Sequence, residues 1–118
     1  MVAAKSTRAR YVPDRGDMVW FDFQPAAGHE QSGRRPALVL SQRSYNERTG
    51  LAVLCPITSQ VKGYPFEVRI AAGLIDGVVL ADHLKNLDWR ARRAQFIAKL
   101  PAASLQQVTR RAALLIGA

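Results

Sequence analysis

Short apolar runs, each cut off by Gly, Pro, Asn or Ser after a handful of residues, leave this chain few ways to fold. Met18–Phe23, Ala37–Ser41, Leu51–Thr58, Phe66–Ile70 and Gly77–Ala81 are rich in residues that favour extended backbone and are too brief for a helix with a buried stripe. Five or more such strands at this spacing predict a small barrel or sandwich. With 118 residues and 13.0 kDa the chain can bury one core. A C-terminal helix is expected on that core, because Leu105, Val108, Ala112 and Leu115 recur at spacings of three and four. Its start has two readings: Pro101 at the first helical position, or Ser104 with Gln107 as a capping box. Gly117 suits its end, and Arg110 and Arg111 suit its dipole. If Trp89–Leu100 is a further strand, Arg90 and Arg92 share one face in a row that can track a nucleic-acid backbone or an acidic peptide.

The charge balance bounds the partner. Seventeen Lys and Arg oppose nine Asp and Glu, giving +8 and a pI near 10.6, so a polyanion is expected. Asp88 is the last acid, while Arg90, Arg92, Arg93, Lys99, Arg110 and Arg111 all follow it. At 48% apolar and 22% charged, the composition is that of a globular domain. The single Cys55 excludes an internal disulfide and, within Leu51–Cys55, reads as a buried inert thiol. With only His29 and His83 besides, no metal-ligand spacing exists, and neither metal nor cofactor is expected. No apolar run approaches a membrane span of about 18 residues, and Met1–Arg10 lacks the apolar stretch of a secretion signal. The expectation is a cytoplasmic protein with a mobile basic segment over 1–10 and one domain over 11–118.

The stretch Glu30-Gln31-Ser32-Gly33-Arg34-Arg35-Pro36-Ala37 carries the chemistry. It sets a carboxylate, an amide and two guanidinium groups on a glycine-hinged loop that runs into a strand. Pro36 is placed at the first position of that strand, and so holds Arg35 at its mouth. A planar guanidinium fixed in this way matches two oxygens of a phosphate. A solvated strand edge is the plainer explanation of the same basic pair. Glu30 can take a proton from a reacting hydroxyl, and His29 titrates near neutrality and can take or return one. Gln31 and the Lys62-Gly63-Tyr64-Pro65 loop are candidates for reading unstacked bases. Tyr64 either stacks on a base or plugs the end of the barrel. Gln24–Gly33, with Gly28 and Gly33 and few apolar anchors, is expected to be mobile without a ligand.

Taken in order, Tyr11-Val12-Pro13-Asp14, Gly16-Asp17, Glu30-Gln31-x-Gly33-x-Arg35-Pro36-Ala37, Thr49-Gly50, Lys62–Val68, Asp76-Gly77-Val78, Leu80-Ala81-Asp82 and Trp89-Arg90-Ala91-Arg92 resemble the MazF/PemK toxins of bacterial toxin–antitoxin pairs. The likeness runs from Tyr11 to Gly117. It implies an SH3-like barrel closed by the C-terminal helix, and a homodimer. It implies metal-independent cleavage of single-stranded RNA at a short sequence, and inhibition by a MazE-like antitoxin whose acidic tail crosses the basic surface. By the same resemblance Arg35 and Thr58 are the catalytic pair, with Glu30 the nearest carboxylate. Arg34 departs from the His of the family's best-known member. It cannot shuttle a proton, since arginine stays charged, but it can strengthen phosphate binding. His29, Gln31, Arg34, Lys62, Tyr64, Arg90 and Arg92 thus form the expected RNA surface. Trp20, Phe21, Phe23 and Trp89 are assigned to core or dimer interface, and His83 to a structural polar role. Two rivals share the class of fold: a CcdB-like toxin that binds gyrase, and a barrel that binds RNA without cutting it. The former ends in Trp-Gly-Ile, whereas this chain ends in Leu115-Ile116-Gly117-Ala118.

Overall fold

The computed structural model describes residues 11–24 and 33–118. The expectations for segment 1–10, for the mobility of the 24–33 loop and for His29, Glu30 and Gln31 lie outside the described residues. Within them, strands β1 (Asp17–Asp22), β2 (Arg34–Val39), β3 (Leu51–Thr58), β4 (Glu67–Ala72), β5 (Ile75–Leu80), β6 (Lys85–Asp88) and β7 (Gln95–Lys99) alternate with helices α1 (Arg43–Thr49) and α2 (Ala102–Leu114). The strands make one sheet in the order β4-β5-β3-β2-β1-β7, with β6 paired to β3. Every pairing is antiparallel. The long β3 organises it: β6 pairs with its first half, from Leu51 to Leu54, and β5 with its end, at Ile57 and Thr58. The sheet curls into a half-barrel, as the SH3-like expectation required.

Both faces of the central strands are buried, which is why they read as unbroken apolar runs rather than alternating ones. Met18, Leu38, Cys55 and Ile57 point to one core with Val68, Ile70 and Val79, and α2 covers it through Val108. Val19, Phe21, Ala37, Val39 and Leu54 point to a second core that Trp89 closes. Behind Trp89 stands Asn46 of α1, wholly buried. Its amide donates to Pro13 O at 2.8 Å and Ser41 O at 3.1 Å, and its own backbone oxygen accepts the Trp89 indole N–H at 2.8 Å. One buried residue, through its side chain and its backbone oxygen, thereby joins the start of the domain, α1 and the turn after β6.

Several expectations change in detail. Trp89–Leu100 is not one strand: residues 89–93 form turns and the strand is only Gln95–Lys99. Arg93 sits at φ 53°, which breaks extended backbone, so the row of guanidinium groups does not form. Pro36 is third in β2 rather than first, paired with Trp20. The β3 ladder starts one residue later, at Ala37–Pro56, so the proline occupies a stretch where one side of the strand is open. Helix α2 takes neither predicted start, since Pro101 precedes it as N-cap without a side-chain hydrogen bond and Ser104 lies inside it. Leu115 lies beyond its last turn and is 46% exposed. Gly117 (φ 77°) does close the end: Ala118 N–H reaches Ala113 O at 3.0 Å in a six-to-one bond. Among the described residues no helix is long and apolar enough to cross a membrane.

Candidate active site and family

Past Ala37–Pro56 the β2–β3 ladder ends, and the same antiparallel register carried two residues further sets Arg35 across from Thr58. They also share a face, because Arg35, Ala37 and Val39 alternate with the opposite row of β2 just as Thr58, Pro56 and Leu54 do on β3. The parting strands leave a cleft of about 400 Å³ lined by Arg35, Pro36, Thr58, Ser59, Gln60 and Asp76, among others. Arg35 is exposed, and among the described residues no hydrogen bond or ion pair engages its guanidinium.

Thr58 is fixed by two features of the backbone around it. Its hydroxyl accepts the Gln60 N–H at 3.1 Å, a turn that ends the strand and leaves the O–H proton available to donate. Across from it, a Cβ on Gly77 would run into the Thr58 carbonyl oxygen, so only glycine lets β5 come this close. The cleft therefore presents a permanent cation and a hydroxyl donor from neighbouring strands, which suits an oxyanion such as a phosphoryl group. Asp76 entered the sequence reading only within the Asp76-Gly77-Val78 motif, with no role at the site, and Gln60 not at all. Asp76 forms a solvent-exposed pair with Arg69 at 3.7 Å. Gln60 had one signal, its place two residues after a strand-ending threonine.

The other basic candidates are placed differently. Arg34 donates to Asp22 Oδ1 at 2.8 Å, to Arg93 O at 3.0 Å and to Gln95 Oε1 at 3.2 Å. Arg93 grips the other oxygen of the same carboxylate at 2.7 Å. The Arg93 bond, and then that of Arg34, holds the Asp22 carboxyl below the usual carboxylate range. Arg92 donates to Phe23 O at 2.9 Å. Arg34 and Arg92 thus fasten the β1 side of β2, away from the cleft on its β3 side. Arg90 is exposed, its guanidinium 5.0 Å from the ring centre of Trp89. Tyr64 is 59% exposed rather than plugging the barrel, and Lys62 stands exposed beside it. Phe21 and Trp89 are core, whereas Trp20 is 39% exposed on β1. His83 is exposed in the turn after β5, 3.7 Å from Asp82. Burial pushes the Cys55 thiol up to about 12, as an inert core thiol requires.

Comparison with known proteins gives the same direction from independent ground. The chain is 48% identical to the endoribonuclease toxin MazF of Escherichia coli strain K12, over 92% of this chain and 98% of that one. The crystal structure of MazF from Deinococcus radiodurans superposes with a TM-score of 0.83 at 56% identity, covering 92% of this chain and all of that one. A MazE–MazF structure from the same organism matches with a TM-score of 0.80 at 51% identity, over 92% and 98% of the two chains. The model of the PemK-like, MazF-like toxins of type II toxin–antitoxin systems matches residues 14–116, and the chain belongs to that family.

Proposed function

We propose that this endoribonuclease toxin cuts single-stranded RNA at a short sequence without a metal ion, at the cleft between β2 and the end of β3. The observation that carries the reading is the exposed Arg35 set opposite Thr58, whose hydroxyl is held by Gln60 with its proton free to donate. The ribose 2'-hydroxyl gives up its proton and attacks the adjacent phosphorus, the bond to the 5'-oxygen breaks, that oxygen takes up a proton as the hydroxyl of the downstream fragment, and a cyclic phosphate remains on the upstream one. Negative charge gathers on the phosphoryl oxygens as this happens. Arg35 supplies the fixed positive charge there and Thr58 a hydrogen bond; losing one such donor costs about two to three orders of magnitude in rate. Glu30 and His29 are the candidates for moving the 2'-hydroxyl proton. Gln31, Lys62 and Tyr64 are proposed to hold the bases, with Tyr64 offering an exposed ring for stacking. Arg90 can meet the RNA backbone from outside the cleft.

The same reading includes a homodimer in the cytoplasm, silenced by an antitoxin with an acidic tail that the +8 chain attracts. The solved MazE–MazF pair from Deinococcus radiodurans supports such a partner. The gyrase-binding alternative has no support among the relatives named above. Primer-extension mapping of a long RNA incubated with the protein in EDTA tests the proposal. Cuts at one recurring motif, lost in Arg35→Ala and Thr58→Ala, are expected. No cuts by folded, antitoxin-free protein would overturn it.

A further inference from the structure

The loop that leaves the cleft through Gln60 and runs to Pro65 has no regular hydrogen-bonded structure and little to bury: Val61 is 51% and Tyr64 59% exposed. A segment of this kind is ordinarily loose. Here two side chains from elsewhere grip it. The Glu67 carboxylate at the head of β4 accepts the Gly63 N–H at 2.9 Å and the Lys62 N–H at 3.1 Å. Consecutive backbone N–H groups folded around an anion in this way form a nest, and Gly63 at φ 86° supplies the left-handed residue that the bend needs. Glu67 N–H closes the turn onto Tyr64 O at 3.0 Å. On the far side Arg111 of α2 donates its Nε–H to Pro65 O at 3.0 Å, so the helix holds the loop as well.

From this geometry we infer that Glu67, seconded by Arg111, is a positioning residue: its carboxylate pre-forms the loop that carries Lys62 and Tyr64, so that RNA meets an ordered surface. The inference rests on the proposal that this loop contacts RNA. A carboxylate under an RNA-binding loop is electrostatically unfavourable, since it repels the phosphates that the loop receives. That supplies a test of sign. If Glu67 acted only through its charge, removing it would tighten RNA binding. As an anchor, its removal must weaken binding, because the loop then has to be ordered by the RNA itself.

The experiment uses wild-type protein, Glu67→Ala, Glu67→Gln and Glu47→Gln, the last removing an exposed acid on α1. Amide hydrogen exchange at Lys62 and Gly63 is read without RNA. Steady-state cleavage is read on an oligonucleotide carrying the mapped motif. The expected result for Glu67→Ala is faster exchange at both amides and a KM raised about tenfold with kcat little changed, the penalty of ordering one or two side chains on binding. Glu67→Gln, which keeps an acceptor oxygen, restores part of both, and Glu47→Gln lowers KM or leaves it unchanged. Unchanged exchange in Glu67→Ala, or loosened amides with an unchanged or lowered KM, overturns the inference. An equal fall in kcat with KM constant overturns it too, by assigning Glu67 to general integrity of the fold. Failure of the wild-type protein to cleave would refute the nuclease reading instead, and the exchange measurement would still decide whether Glu67 orders the loop.

Discussion

Replacing Thr58 by Val separates chemistry from architecture at the proposed site, because valine keeps the branched shape and removes only the hydroxyl. In the folded protein that hydroxyl accepts one bond, from Gln60 N–H at 3.1 Å, and Gln60 is exposed. Water can take over that N–H, so the loss of stability is that of one ordinary hydrogen bond, about 0.5–1 kcal/mol. For a domain of this size that lowers Tm by about 2–5 °C. The loss of rate is a different quantity. The hydroxyl would donate to a phosphoryl oxygen only as charge builds on it, and removing such a donor costs about 3–4 kcal/mol of barrier, or two to three orders of magnitude. The assay is single-turnover cleavage of an RNA carrying the mapped motif, alongside thermal melting of the same preparations. Thr58→Ser, which restores the donor, should recover most of the rate that Thr58→Val loses. A Thr58→Val rate within threefold of wild type refutes the assignment, and so does a Thr58→Ser variant as slow as the valine.

Asn46→Ala strips the partners from Pro13 O and the Ser41 hydroxyl inside the fold; a loss of about 3 kcal/mol or more is expected in urea titration, without any change in motif preference. Gly77→Ala drives a methyl against the Thr58 carbonyl oxygen, so it should lower kcat at least tenfold, beyond the fraction unfolded, while binding of RNA with a 2'-deoxy scissile site is nearly kept. The folded-state carboxyl of Asp22 titrates below its unfolded value through Arg93 and Arg34. Its stabilisation is therefore present above about pH 4 and is lost as pH falls through the lower folded value, so Asp22→Asn should flatten the stability profile on the acid side. Cys55, a buried thiol raised to about 12, should resist iodoacetamide at pH 8 until the protein is unfolded.

Much of the fold is written in local patterns. The run Leu51–Thr58 predicts β3 residue for residue, since its apolar, branched residues have one extended solution between Gly50 and Ser59. The spacing of Leu105, Val108 and Ala112 likewise marks the face of α2 that meets the core. Helix α1 was illegible, because Arg43–Thr49 is polar almost throughout and is tied into the fold by one buried amide whose distant partner, Pro13, lies 33 residues earlier in the chain. The strand expected over Trp89–Leu100 fails for a different reason, a local one that the alternation of Arg90 and Arg92 concealed. Its alternation is local, but the Asp88 carboxylate accepts from Arg90 and Ala91 N–H and folds the backbone into a turn.

The sequence by itself determined that a guanidinium would stand at the mouth of a strand in a basic all-β domain: charge, proline and apolar run are properties of neighbouring residues. What each of the two arginines meets was decided only in three dimensions. Pro36 and the family motif single out Arg35, but successive residues of a strand point to opposite faces, and no local pattern says which partners those faces find. Register then brings Asp22 to Arg34 and Thr58 into line with Arg35. A pairing that joins residues 12 and 23 positions apart is fixed by the sheet as a whole, and no local pattern carries it.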